Sequence, residues 1–285
     1  MPELPEVETV RRGLAQTTLG QTLSGGEVLL ARTIAAPEDP EAFLTALTGC
    51  TLVDWQRRGK YLLCRLERHG EAAGWWGAHL RMTGQFLWTT QDQPLQRHTR
   101  VRLFCGGDRE LRFIDMRTFG QLWWVPPGQP PETVMTGLRK LGPEPFSADF
   151  SERYFRQALA RSRRPIKTAL LDQALVAGVG NIYADESLHM TGLHPTLAAD
   201  RLTATQVRAL RTAVVAVLEA SIGAGGTTFS DFRDLEGVNG NYGGQARVYN
   251  RTGQPCPVCA TPIERLKLAG RSAHFCPSCQ PRPRR

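Results

Sequence analysis

Val125-Pro126-Pro127-Gly128-Gln129-Pro130-Pro131 divides the 285-residue chain. Proline fixes φ and has no N–H for a ladder or a helix, so a segment this rich in it reads as a linker. Upstream, short runs rich in β-branched and aromatic residues dominate, over 57–66, 75–88, 100–105 and 110–125, with turn signals such as Gly106-Gly107-Asp108 between them. That spacing predicts an antiparallel sandwich or barrel. The start departs from it, because Leu4, Val7, Val10 and Leu14 recur at helical spacing. Downstream the period becomes helical over 150–160, 166–175, 182–190 and 205–222, the last with Val207, Leu210, Val214, Val217 and Leu218 on one apolar face. Strands followed by helices place the chain in the α+β class.

Composition narrows the function classes. With 41% hydrophobic residues and interspersed charge the chain folds, and its length suits two or three domains. It contains no run of about 18 uncharged apolar residues, so no membrane span is expected. Met1-Pro2-Glu3-Leu4-Pro5-Glu6 is acidic where a secretory signal is basic and then apolar, which points to the cytoplasm. The net charge of +8 is uneven: residues 245–285 carry eight Lys or Arg and one acid, Glu264. Such a segment suits a polyanion, whose counterions it would release, or it is a solvated tail that aids solubility; charge alone does not choose.

The cysteines do. Cys50, Cys64 and Cys105 lie scattered in apolar stretches, as ordinary buried thiols do. The other four form Cys256-Pro257-Val258-Cys259 and Cys276-Pro277-Ser278-Cys279, with sixteen residues between the pairs. Two such knuckles can place four thiolates around one zinc ion; the competing reading, two disulfides, suits a cytoplasmic chain poorly. Four sulfur ligands leave no open position, so such a zinc is structural. The intervening residues 263–275 have the length of a hairpin, with Gly270-Arg271 near its turn.

Ala177-Gly178-Val179-Gly180-Asn181 lies between two helical stretches, and the second begins near Asn181. Exposed amides at a helix N-terminus suit a phosphate, and an ordinary helix–helix turn capped by Asn181 fits the same residues.

Three features together resemble the formamidopyrimidine-DNA glycosylase family: Met1-Pro2-Glu3-Leu4-Pro5-Glu6-Val7-Glu8-Thr9, the turn Gly178-Val179-Gly180-Asn181-Ile182-Tyr183, and the terminal four-cysteine finger. The resemblance runs from Pro2 to Gln280 with the motifs in the family's order. It implies an N-terminal β-sandwich with a leading helix, a helix-two-turn-helix domain and a zinc finger, here expected over 1–131, 132–244 and 245–285. It further implies a monomeric enzyme of the bacterial cytoplasm and nucleoid that acts on damaged double-stranded DNA with one structural zinc.

In the family the initiator methionine is removed and Pro2 becomes the N-terminus. An α-amino group has a pKa near 8, about two units below lysine, so more of it is uncharged at neutral pH. By resemblance Pro2 attacks C1′ of the damaged nucleotide to form a Schiff base, Glu3 donates the proton that opens the sugar, and Glu6 supports them. Without the resemblance, acids in a first helical turn would only complement the helix dipole. The resemblance also assigns Lys60 to the lesion and its phosphate, Arg271 to the flanking phosphates, and His98, Arg117, Arg163 and Asn181 to DNA contact. Met82, Arg117 and Phe119 correspond to side chains that fill the hole left by the flipped nucleotide. Gly225-Gly226-Thr227-Thr228 resembles the start of a loop that contacts the flipped purine. The chain departs from the family in having Met116 where proline is usual and Thr118 where a second arginine is common, which bears on how the opposite base is read. Two other functions compete: an endonuclease VIII-like glycosylase for oxidised pyrimidines, and a non-catalytic zinc-ribbon DNA-binding protein. Leu4 and the Gly-Gly-Thr-Thr loop oppose the former; Pro2 and Glu3 oppose the latter.

Overall fold

Leu4, Val7, Val10 and Leu14 form the buried face of helix α1 (Leu4–Thr18), with Pro5 in its first turn, where a missing N–H costs nothing. In a computed structural model of the chain, which describes residues 2–227 and 242–283, the elements fall into two compact units. Residues 2–139 with 225–227 make the first, and residues 140–224 with 242–283 the second.

The first unit adds to α1 the strands β1 (Gly25–Val28) and β2 (Ile34–Ala36), helix α2 (Pro40–Leu47), and strands β3 (Thr51–Arg58), β4 (Tyr61–Arg68), β5 (Glu71–His79), β6 (Gly84–Thr90), β7 (Thr99–Phe104), β8 (Arg109–Asp115) and β9 (Gln121–Val125), followed by the short helix α3 (Pro131–Val134). Two sheets result, of order β1-β7-β8-β6 and β2-β9-β5-β4-β3, antiparallel except where β2 meets β9. Their inner faces meet in a chain of rings: Trp55 against Trp76 at 5.3 Å, Trp76 against Phe86 at 5.7 Å, and Phe86 against Phe113 at 5.1 Å. Trp55 and Trp76 belong to the five-stranded sheet and Phe86 and Phe113 to the four-stranded one, so these contacts join the layers of a β-sandwich.

Three of the long apolar runs are each two strands. Residues 57–66 fold back at Gly59-Lys60, whereas 75–88 and 110–125 each pass from one sheet to the other, over 80–83 and 116–120. Helix α2 is capped by Asp39, which accepts from Glu41 and Ala42 N–H, and eight residues proved too short for periodicity to reveal.

The second unit contains α4 (Glu152–Ala160), α5 (Ile166–Leu170), α6 (Asn181–Met190) and α7 (Ala204–Gly223), then the hairpin β10 (Glu264–Leu268) and β11 (Arg271–Phe275). Ser151 caps α4 and Thr203 caps α7. Every residue of α6 from Ile182 to His189 is buried, although four are charged or polar, and three of these, Asp185, Glu186 and His189, hold the C-terminal segment to the helix. Among the described residues no helix is long and apolar enough to cross a membrane.

Arg112 on β8 is fully buried beside Glu110, to which it donates, and Glu110 also receives Arg102 at 2.8 Å. Arg112 donates to the carbonyls of Gln93 at 2.6 Å and Pro94 at 2.8 Å and to Oε1 of Gln96 at 3.0 Å, so one guanidinium organises the loop that leads to His98. Arg112→Met removes a buried charge partner and strands those acceptors. It is expected to destabilise the protein by about 3 kcal/mol in urea unfolding, whereas Arg109→Met, on the same strand but half-exposed, is expected to stay within about 0.5 kcal/mol.

Candidate active site and nucleic-acid interface

Pro2 and Glu3 are buried at the head of α1, where Glu3 is the N-cap. The Glu3 N–H donates to Oε2 of Glu6 at 2.7 Å, and the other oxygen of Glu6 accepts the N–H of Thr227 at 2.8 Å. One carboxylate thus fixes the start of α1 and ties residues 225–227 to it. Gly226 has φ +81°, and a Cβ there would stand 3.3 Å from Cα and Cγ of Glu6, so this close approach calls for glycine. Met1 and Thr228 lie outside the described residues.

Lys60 is buried and follows Gly59, whose φ of +57° makes the two-residue turn between β3 and β4. Tyr61 pairs with His79 across β4 and β5, their rings edge to face at 4.5 Å. The Arg81 N–H donates to Nδ1 of His79 at 3.0 Å. Burial, then the charges of Arg81 and Lys60, push the His79 imidazolium down to about 3. The ring is therefore neutral at physiological pH, with its proton on Nε2. Sequence reasoning passed over His79, whose only signal was a lone titratable group in an apolar run.

Met82, His98, Arg117 and Phe119 come together through Asp115. This buried carboxylate accepts the Thr83 hydroxyl and the N–H groups of Arg117 at 3.2 Å and Gly120 at 2.7 Å, while the Asp115 N–H donates to the His98 carbonyl at 2.9 Å. Both ends of the 116–119 loop are thereby pinned to the turn that carries Met82. At its tip Met116 and Phe119 are each about half exposed (51% and 53%), large for apolar side chains, and the Arg117 guanidinium lies over the Phe119 ring at 5.2 Å. Thr118 has φ +59°, and its hydroxyl accepts from Arg32.

Asn181, Arg163 and Arg271 belong to the second unit. Asn181 is the first residue of α6; the N-cap is Gly180, so Asn181 is not itself the cap. The preceding turn is clamped by Gln173, which accepts the Gly178 N–H at 2.9 Å and donates to the Val179 carbonyl at 2.8 Å. Arg163 is exposed beyond α4. Arg271 is exposed and opens β11, directly after the turn residues Ala269 and Gly270, both at positive φ.

The four cysteine sulfurs at 256, 259, 276 and 279 lie within 4.8 Å of one another. Separations of 3.4 Å for Cys259 to Cys276 and 3.9 Å for Cys256 to Cys279 bracket the ~3.8 Å expected of a tetrahedron with bonds of about 2.3 Å. The donor set and spacing fit zinc, and Nε2 of His189 on α6 is 3.4 Å from the Cys256 sulfur. Glu186 on the same helix accepts the N–H groups of Arg247, Val248 and Tyr249 at 2.8 to 3.0 Å. Asp185 pairs with Lys167 at 2.7 Å and accepts the His274 N–H at 2.9 Å. Three neighbouring side chains of α6 therefore anchor the knuckle, the approach to it and the hairpin.

Known proteins match this architecture throughout. Residues 1–122 match the formamidopyrimidine-DNA glycosylase N-terminal domain, residues 141–233 the H2TH domain of the same enzyme, and residues 253–282 the zinc finger found in FPG and IleRS. A formamidopyrimidine-DNA glycosylase of Synechococcus is 69% identical over 281 residues, with 99% of each chain covered. The chain belongs to the formamidopyrimidine-DNA glycosylase family. Among solved structures, Lactococcus lactis Fpg bound to DNA containing an abasic site superposes with a TM-score of 0.89 at 34% identity, covering 98% of this chain and all of that one. A variant of the L. lactis protein bound to Fapy-dG containing DNA gives 0.90 at 35%, covering 99% of this chain and all of that one. The family carries a zinc finger, and the four-cysteine cluster holds one structural zinc ion.

Beneath that cluster lie few apolar side chains: Val248, Ile263 and the buried cysteines themselves. A core this small needs the metal. Cys276→Ser is expected to abolish stoichiometric zinc in elemental analysis and to leave the hairpin amides unprotected in hydrogen exchange. The amides of β4 and β5, in the other unit, should keep their protection.

Proposed function

We propose that this protein excises oxidised purines, 8-oxoguanine and formamidopyrimidines, from duplex DNA and then cleaves the strand by β,δ-elimination, acting as a monomer in the bacterial cytoplasm and nucleoid. The observation that carries this reading is the head of α1: a proline at position 2, followed by a buried acid whose backbone a second buried acid holds. With Met1 removed, the Pro2 nitrogen is a secondary amine whose uncharged form carries the nucleophilic lone pair. It adds to C1′ as the bond to the damaged base breaks and the base leaves. Glu3 gives a proton to the ring oxygen, the sugar opens, and an iminium links C1′ to Pro2. Loss of a C2′ proton expels the 3′ phosphate; a second elimination expels the 5′ phosphate, and water then releases Pro2. Lys60 holds the lesion and its phosphate. His98, Asn181, Arg163 and Arg271 contact the DNA backbone, while Met82, Arg117 and Phe119 fill the vacated stack. The relatives' names and the Fapy-dG containing DNA bound by the L. lactis variant support this reading over a passive binder and over an enzyme confined to pyrimidines, and the wild-type L. lactis protein is also solved with oxidised-pyrimidine DNA.

Borohydride reduction during turnover is expected to link the processed chain covalently to lesion-bearing DNA through Pro2, and Pro2→Gly to weaken both base release and cleavage. A peptide map that placed the adduct on Lys60 would reject this nucleophile.

Binding and chemistry are expected to separate between two other variants. Arg271→Ala should weaken binding to damaged and undamaged duplex alike and lower the salt dependence by about one counterion. Glu3→Gln should bind nearly normally and lose base release, because its proton is needed only along the reaction path. Titrations across salt and single-turnover excision read the two effects.

A further inference from the structure

Glu8 lies on α1 beyond the residues assigned above and has a side chain only 12% exposed. Its carboxylate collects three guanidinium groups: Arg11 through Nη2 at 2.8 Å, Arg12 through Nε at 3.0 Å and Arg57 through Nε at 3.2 Å. Two of these are local helix pairs, of the kind worth a few tenths of a kcal/mol. Arg57 is different. It comes from β3, it is 9% exposed, and its Nη1 donates at 3.0 Å to the carbonyl of Gly59, the residue before Lys60. Arg57 is therefore a two-pronged strut, with one edge on a carboxylate of α1 and the other on the turn that presents Lys60. Arg11 braces the same strand, donating to the Trp55 carbonyl at 3.2 Å. Burial works against a charged Glu8, but the hydrogen bonds and charges of Arg11, Arg12 and Arg57 outweigh it and hold the carboxyl below its ordinary range.

We propose that Glu8 is a positioning residue that, through Arg57 and the Gly59 carbonyl, fixes Lys60 relative to the helix whose head carries Pro2. The inference rests on the assignment of Pro2 and Lys60 under the proposed function. A backbone nucleophile cannot adjust by changing rotamer, so its distance from a second reacting group must be set by the elements that carry both. Glu8 and Arg57 supply a charge-assisted link between those elements, with little freedom because the guanidinium is planar and engaged on two edges. Lysine at position 57 keeps the cation but reaches only one of the two acceptors at a time.

The test is a double-mutant cycle in the full-length processed protein, read by single-turnover excision of 8-oxoguanine. Glu8→Gln is expected to slow excision about tenfold, Arg57→Lys somewhat less, and both to leave the Kd for a duplex with a tetrahydrofuran abasic analogue within about twofold. In a Lys60→Ala background the same substitutions should cost nothing further, because the group they position is gone. Effects that multiply in the double variants would make Glu8 a merely structural residue and overturn the proposal, as would normal excision by Glu8→Gln beside a slow Lys60→Ala. If Glu8→Gln does not fold, the Arg57→Lys cycle decides the question by the same criterion. Normal excision by Lys60→Ala would instead sink the assignment of the site, and this proposal with it.

Discussion

The carboxylate of Glu6 is the constraint on which the candidate site depends. A proline nitrogen that is to react as a chain terminus cannot be aimed by a side-chain rotamer; only the backbone that follows it can aim it. Glu6 provides that control from within α1, by accepting the N–H of Glu3, and uses its second oxygen for Thr227. Both acceptors face backbone donors in a buried place, where a hydrogen bond to a charged group contributes more than it does in water. Helix capping, ordinarily a small stabilising device worth about 1 kcal/mol, here also orders the residues at the start of the chain.

The same physical device recurs in the second unit with a different purpose. Glu186 is buried and its carboxyl is pushed up by that burial, yet three successive backbone N–H groups from 247–249 converge on it. Asp185 receives a lysine and a backbone N–H from β11. A short hairpin with a small apolar cluster cannot order itself by burial. Its geometry is imposed from two sides, by zinc at the knuckles and by carboxylates on α6. This explains why a helix so completely buried carries acids at adjacent positions, which would otherwise be a costly choice.

The features that were legible in the sequence are those whose partners lie nearby along the chain. The two C-x-x-C pairs, the helical spacing of Leu4 to Leu14 and the periodic face of α7 each declare themselves within a few residues. The division of 57–66 into β3 and β4 did not, because Gly59-Lys60 is a two-residue turn without the usual asparagine or aspartate signal, and apolar residues resume at once on its far side. His79, Arg112, Glu8 and Arg57 were missed for a related reason. Each looks like an ordinary charged or titratable residue among its neighbours, and what makes it informative is a contact with another strand or loop, as with Glu8 and Arg57, 49 positions apart. The roles proposed for Pro2, Glu3 and Lys60 come from family resemblance rather than from pattern, since nothing in the spacing of a proline and two glutamates, Glu3 and Glu6, distinguishes chemistry from capping.

The loop at 116–119 shows how the sandwich bears on the proposed reaction. Exposed Met116 and Phe119 are tolerable singly on any surface, but here they sit on a loop whose backbone is held near both ends by one buried carboxylate. Separating stacked base pairs costs a few kcal/mol per step, and a wedge that also had to be ordered on binding would add its own entropy to that sum. In the proposed role of Phe119 as a filler of the vacated stack, Asp115 lowers this second cost by ordering the loop backbone at the folding stage. The Arg117 guanidinium over the Phe119 ring keeps a cation beside the apolar tip, and Arg32 brings another to Thr118 from a different segment. Where the family commonly has a second arginine within the loop, this chain places a guanidinium against the same point from outside it. Charge at that position therefore depends on how residues 31–33 pack as well as on the loop's own sequence.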